Sequence, residues 1–188
     1  MDSVCLRQPD RLAGGRWVCI WARRGIEARH APIGGEKERC TGVLLGEPRV
    51  LVIGTVLPWR RDNRRAHYRG AAAFSKSIET QSRAWRRAMD RHAPAACVVA
   101  GDWNQELDRD GPVGTKAGKE AMKRVLRELD LTCVTGGDRD PLKRWRASID
   151  HIAVSSNKAR SVCGRGPWPK QYPLPRNLTD HHCVSIEI

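Results

Sequence analysis

Short apolar runs separated by glycine, proline and charge dominate the chain, and each run is a candidate strand. The segment Ala95–Ala100 is apolar, lies between Pro94 and Gly101, and is too short for a helix, so it predicts a buried strand. Arg16–Arg23, with Trp17, Val18, Cys19, Ile20 and Trp21, predicts another. Cys40–Leu45 and Arg49–Thr55 predict a hairpin turning at Gly46-Glu47-Pro48. Thr132–Thr135 and Ser148–Val154 read as strands, and Ser161–Gly164 as a further short one. The final run, Cys183–Ile188, alternates Val184, Ile186 and Ile188 with Ser185 and Glu187, the period of a half-buried strand.

Two segments repeat at helical spacing instead. Over Tyr68–His92, Phe74, Ile78, Trp85 and Met89 share one face, while Lys76, Arg83 and Arg87 form a solvated basic face opposite. Over Thr115–Leu129, Ala117, Ala121, Met122, Val125 and Leu129 are expected to point inward. Met1–Gly15, Glu27–Arg39, Pro58–Asn63, Gly136–Arg146 and Gly164–Asn177 read as loops. With no internal repeat, residues 1–188 are expected to form a single domain of layered α/β architecture.

Composition narrows the setting. A 40% apolar content in 188 residues supports a globular core. The net charge of +13 favours polyanionic partners, nucleic acid first and an anionic membrane surface second. Arginine-rich composition from a GC-rich genome gives the same charge without any such role. The seven cysteines contain no C-x-x-C pair and read as reduced core residues, not as disulfides or a zinc site. No apolar run reaches the roughly 20 residues of a membrane span, and the polar N-terminus is no signal peptide. The expected location is the cytoplasm, and the expected state is a monomer.

Candidate chemistry gathers where apolar runs end. Asp102 and Asn104 follow Gly101, two positions apart, and a strand's alternation sends both the same way. A carboxylate and a carboxamide can hold a hard cation or orient a water and a phosphate oxygen. By itself the stretch reads first as a polar turn. Ser148-Ile149-Asp150-His151-Ile152 carries an acid at the start of an apolar strand, and Thr179-Asp180-His181-His182 precedes the last one. A histidine with a carboxylate partner has its tautomer fixed and its charged form stabilised, which suits proton transfer. His151 and His182 should point away from Asp150 and His181, and Trp103 should pack beneath the site.

In this order, GDWN, SIDHI and TDHH resemble the endonuclease/exonuclease/phosphatase superfamily, over roughly the last two thirds of the chain. That group includes DNase I-like nucleases, exonuclease III-type abasic-site endonucleases, sphingomyelinases and inositol-phosphate phosphatases. The resemblance implies a DNase I-like four-layer sandwich, two packed β-sheets flanked by helices, with the site where strand ends converge. It also implies roles: Asp102 and Asn104 against the scissile phosphate and a Mg²⁺ (or Mn²⁺) ion, Asp180 as a metal ligand, His181 as acid or base, and Asp150 as its orienting partner. Arg144 and Trp145, in the loop before SIDHI, map to the edge of the substrate groove, where a guanidinium would hold phosphate and an indole would stack.

The family's opening strand with its Asn, and the metal-binding Glu that follows, find no counterpart here. Glu27, Glu36 and Glu38 lie in other contexts, and the chain reads as starting late. The function expected is therefore a metal-dependent phosphodiesterase acting on nucleic acid. Two alternatives stand beside it: a phosphatase or phosphodiesterase for a small phosphorylated molecule or lipid headgroup, and a catalytically weak, truncated homologue that binds polyanions. If a carboxylate replaces the missing ligand, Glu27 and Glu106 are the first candidates.

Overall fold

The computed structural model describes residues 3–6, 17–59, 71–107, 113–140, 148–162, 164–167, 181 and 184–187. In chain order these form strands β1 (Ser3–Leu6), β2 (Ile20–Arg23), β3 (Ala28–His30), β4 (Cys40–Leu45) and β5 (Val50–Val56), then helix α1 (Ala71–His92) and β6 (Ala96–Asp102). Helix α2 (Lys116–Glu128), β7 (Leu131–Cys133), β8 (Asp150–Ser155), β9 (Gly164–Pro167) and β10 (Val184–Glu187) follow. A six-stranded sheet in the order β3-β4-β5-β6-β8-β7 is the centre of the molecule. β5 and β6 run parallel, joined by the crossover that contains α1, and the other pairings in this sheet are antiparallel. The C-terminal ends of β5 and β6 therefore lie at one end of the sheet, beside the start of β8.

Period-2 alternation divides the sheet into two apolar faces. Leu51, Ile53, Cys97, Val99 and Ala153 are buried in one cluster with Phe74, Ile78, Trp85 and Ala88 of α1 and Ala121, Met122, Val125 and Leu126 of α2. The helices also join directly, Arg86 donating to the carbonyl of Glu128 at the C-terminal end of α2, where the helix dipole favours a cation. On the opposite face Val98, Ile152 and Val154 pack with Val134, Ala159, Val162 and Ile186 of β10. Val18 and Ile20 close over Gly54 on β5, where a Cβ would stand 2.6 Å from Val18 and 3.3 Å from Ile20. The two-stranded ladders β1–β2 and β9–β10 thus occupy the position of the second sheet. Helices, central sheet and ladders are three of the four layers expected, and the outer helical layer is not among the described residues.

Most of the predicted elements are present, and the exceptions have local causes. The hairpin forms as read, with β4 and β5 paired from Cys40↔Thr55 to Leu45↔Val50. Glu27–Arg39 is not wholly loop, because β3 adds to the free edge of β4. Ser161 closes a 3₁₀ turn over Ser156–Ser161, and the strand begins only at Gly164. Ala117 is exposed and Gly118 is buried in its place. The reason is that Thr115 caps α2, its side chain accepting from Gly118 N, and Gly118 seats against Gln105 where a Cβ would clash at 2.7 Å. Among the described cysteines, Cys40 and Cys97 are buried free thiols pushed up to about 12 by desolvation, but Cys19 is exposed, contrary to expectation. Among the described residues no helix is long and apolar enough to cross a membrane.

One glycine is required by the parallel pair. Gly101 has φ +141°, and a Cβ there would lie 1.9 Å from the carbonyl oxygen of Thr55 on β5. Gly25 has φ +91° but open space around it. Gly25→Ala should cost only backbone strain, about 1–2 kcal/mol. Gly101→Ala should cost clearly more, since its strain of about 1–3 kcal/mol comes with displacement of β5. Equal losses in thermal unfolding for the two variants would contradict this account.

Candidate active site

The antiparallel register of β6 and β8 sets Asp102 directly opposite Asp150. Both carboxylates project from the ladder side of the sheet, at the end where β5 and β6 stop. Like charges placed opposite each other in a sheet repel, so this pair is held by its surroundings. Asn104 supplies part of the hold: its backbone N–H donates to Asp102 Oδ1 at 2.9 Å and its Nδ2 to Oδ2 at 2.8 Å. The same Nδ2 donates to the carbonyl of Leu57, just past β5, at 2.8 Å. Asn104 adopts φ +50°, a left-handed conformation that asparagine tolerates better than most residues. The chain therefore turns back at Asn104, and it is this turn, more than strand alternation, that brings the amide onto Asp102. With Nδ2 engaged twice, Oδ1 is the atom Asn104 has to offer a ligand.

His181 reaches the pair from just before β10. Its Nδ1 lies 2.9 Å from Asp150 Oδ2 and 3.1 Å from Oδ1. A proton on Nδ1 satisfies both contacts and leaves Nε2 as the basic nitrogen. Asp150 is fixed in turn by its own backbone, whose carbonyl accepts from Ser148 Oγ at 2.6 Å, while Ser148 N donates to Asp140 Oδ2 at 3.0 Å. Burial raises Asp102 to about 6, and the nearby Asp150 charge adds to the rise; bonds from Asn104 and the His181 charge oppose it.

Asp102, Asp150 and His181, each half-buried, present ligand atoms all within 4.8 Å of one another. With Asp150 engaged by His181 Nδ1, the Asp102 carboxylate and the neighbouring Asn104 amide oxygen are the oxygen donors left for a hard divalent cation that keeps several of its waters. Charge agrees with donor type: a carboxyl whose proton is held by burial and by a second carboxylate is one that a cation would neutralise. The residues present therefore fit a hard divalent cation.

The structure thus brings Asp102, Asn104, Asp150 and His181 together, while Asp180, Arg144, Trp145 and His182 lie outside the described residues. His151 faces the helices, its Nε2 3.0 Å from the Gln105 carbonyl and its Nδ1 3.8 Å from Cys133 Sγ. Trp103 is fully buried with its ring 5.1 Å from that of His151, so both are core residues under the site. Neither favoured substitute for the missing ligand joins the cluster. Glu27 sits at the hairpin end, opposite the site, with its carbonyl bonded to Gly46 N. Glu106 is buried and its Oε1 is 3.4 Å from Val113 N, ahead of α2. Glu36 is buried on the helix side, accepting from Ser77 Oγ at 2.5 Å and Gln81 Nε2 at 3.1 Å. The Leu57 carbonyl and Ser148 escaped the sequence reading: a backbone acceptor has no residue signature, and a serine before a strand is an ordinary turn residue.

No protein-family model matches the chain, and no curated protein does either. Solved structures do match. A 3'-5' exonuclease (NExo) from Neisseria meningitidis aligns with TM-score 0.63 and 18% identity, over 90% of this chain and 73% of that one. The same Neisseria protein, described as a 3' phosphatase bound to product DNA hairpin, aligns with TM-score 0.59 and 16% identity, again over 90% and 73%. The AP endonuclease LMAP from Leishmania major aligns with TM-score 0.62 and 15% identity, over 87% of this chain and 61% of that one. Identities this low establish the fold alone: the chain has a DNase I-like fold, and spans between 61% and 73% of the length of these chains.

In metal-free protein Asp102 should titrate near 6, well above an ordinary aspartate. Asp150→Asn should lower that value and His181→Ala should raise it, as read by carboxyl-carbon NMR. Because the folded-state pKa is the higher one, deprotonation costs stability: the penalty is absent below the unfolded value near 3.8, grows between 3.8 and about 6, and is complete above that. The stability of Asp102→Asn relative to the parent should accordingly improve on going from pH 3.5 to pH 7. An Asp102 titrating at its ordinary value would contradict the burial and pairing described.

Proposed function

We propose that the protein is a metal-dependent phosphodiester hydrolase acting on nucleic acid. The observation that carries this reading is the joining of Asp102, Asn104, Asp150 and His181 at one end of the sheet, the His181–Asp150 contact at 2.9 Å included. The fold and the nuclease activities for which its structural neighbours are named support it, as does the net charge of +13.

Asp102, the Asn104 carbonyl oxygen and Asp180 would hold the cation. When bound, the cation supplies a Lewis acid for a phosphoryl oxygen and a water of lowered pKa. The remaining chemistry belongs to the chain. His181 gives or takes a proton at Nε2, toward the attacking water or the oxygen that leaves. Asp150 keeps the ring oriented through Nδ1 and stabilises its charged form. Asn104, fixed by Leu57, keeps Asp102 from rotating away. Arg144 and Trp145 would meet the substrate beside the site, by phosphate pairing and by stacking.

The test is hydrolysis of a plasmid, of a duplex with an abasic site and of a generic phosphodiester, with Mg²⁺ or Mn²⁺ and with EDTA. Hydrolysis should depend on the added cation. His181→Ala should lower kcat by about 10²–10⁴-fold, the usual contribution of a general acid or base. Asp150→Asn should lower it through His181, so the double variant should be scarcely slower than His181→Ala alone. Undiminished hydrolysis in EDTA, or an unchanged rate in His181→Ala, would refute the assignment. Turnover of the small phosphodiester alone would move the reading to a small-molecule phosphoesterase. Binding to DNA should also weaken steeply with salt, and a flat salt dependence would refute the electrostatic account.

A further inference from the structure

Three side chains at the site end of the sheet are not used by the chemistry above. Trp59 follows β5 by three residues and is 37% exposed, one of few large apolar side chains on the described surface. Its ring packs against Trp17 with centroids 5.8 Å apart and planes at 61°. Trp17 is braced from its other contacts: its N–H donates to the Glu38 carbonyl at 3.0 Å, and the buried Arg39 guanidinium lies 5.1 Å from its ring centroid. Arg39 is itself tied to the sheet, its carbonyl accepting from Val56 N at 2.8 Å. In an edge-to-face pair, one ring turns its edge to the other's face. Whichever ring that is, Trp17 covers at most one of Trp59's two faces.

The place of this pair sets its use. Leu57 donates its N–H to the Asp102 carbonyl at 2.9 Å and accepts from Asn104 Nδ2 at 2.8 Å. Trp59 is two residues further, so its Cα lies within about 7 Å of that of Leu57. An aromatic ring is thereby carried on the segment that Leu57 ties to Asp102 and Asn104. In sequence it is followed by Arg60 and Arg61, within a chain of net charge +13. Aromatic side chains interleaved with cations are how proteins hold unpaired strands, because every base has a π-face and every linkage a negative charge.

We propose that Trp59, braced by Trp17 and Arg39, is a stacking site for an unpaired nucleobase next to the phosphate that the cluster engages. The inference rests on the nucleic-acid reading above and narrows it to substrates with a single-stranded or unstacked base beside the scissile linkage. It predicts no chemical role for Trp59, only binding.

The test is fluorescence anisotropy at low ionic strength in EDTA, so that no strand is cut. One labelled single strand of about 8 nucleotides is compared with a strand of equal phosphate count built from abasic residues. The parent should bind the base-bearing strand more tightly. Trp59→Ala should weaken that binding about 5- to 100-fold and leave the abasic strand unaffected, while Trp59→Phe, which keeps a ring, should stay near the parent. If Trp59→Ala loses affinity for both strands alike or for neither, or if Trp59→Phe loses as much as Trp59→Ala, stacking is overturned, and continued hydrolysis by the parent would leave the nuclease reading standing. If the parent binds neither strand and cuts nothing, the nucleic-acid reading fails and the stacking site with it.

Discussion

Two carboxylates facing each other across neighbouring strands are what the rest of this end of the molecule has to accommodate. Their ligand oxygens lie within 4.8 Å of each other, and two unit charges about 4 Å apart repel by about 4 kcal/mol at an effective dielectric of about 20, a large fraction of the about 5–15 kcal/mol that stabilises a domain. The structure offsets the repulsion from three directions. Asn104 donates twice to Asp102, His181 Nδ1 meets Asp150 at 2.9 Å, and Asp102 holds its proton to about 6. A divalent ion would be the fourth and strongest relief. Such a site is costly when empty and favourable when filled, the arrangement expected of a place meant to hold charge.

The supports run back into the fold. Asn104 can reach Asp102 only because it turns in a left-handed conformation, and its second acceptor, the Leu57 carbonyl, belongs to the extension of β5. β5 is held against α1 by a buried polar chain in which Thr55 Oγ1 donates to Gln81 Oε1 at 2.5 Å and Gln81 Nε2 donates to Glu36. Glu36, unplaced by motif, is thus a strut beneath the sheet and not the missing metal ligand. Buried polar groups satisfied in this way fix the relative position of helix and strand more sharply than apolar packing does.

What was legible in the sequence was set by the range of the interactions involved. Strand alternation and helix spacing are local, so the hairpin, β6, β8 and α1 were readable, as was the division of Asp150 and His151 between two faces. The inward stripe of α2 was misassigned at Ala117, because Gly118 is chosen by contact with Gln105, which no periodicity encodes. β3 is three residues long and exists because β4 had an edge to fill. GDWN, SIDHI and TDHH pointed to a shared site through their resemblance, but the hydrogen bond from Asn104 to Leu57 joins residues 47 apart and could only be seen in the fold. Glu27 failed as a substitute ligand for a related reason: distance along the chain says nothing about which end of a sheet a residue occupies.

The split identity of neighbouring residues on β8 bears on how faithfully the chain finds its native pairing. Asp150 faces a cluster that needs charge, and His151 faces the interior, where its Nε2 meets the Gln105 carbonyl and its Nδ1 lies near Cys133. A slip of one residue in the pairing of β6 with β8 would exchange them. A carboxylate would enter the core without a partner, and Asp102 would lose its neighbour across the ladder. Alternative registers are thus penalised twice, once in the core and once at the surface. The residues proposed to serve the chemistry also proofread the strand that carries them.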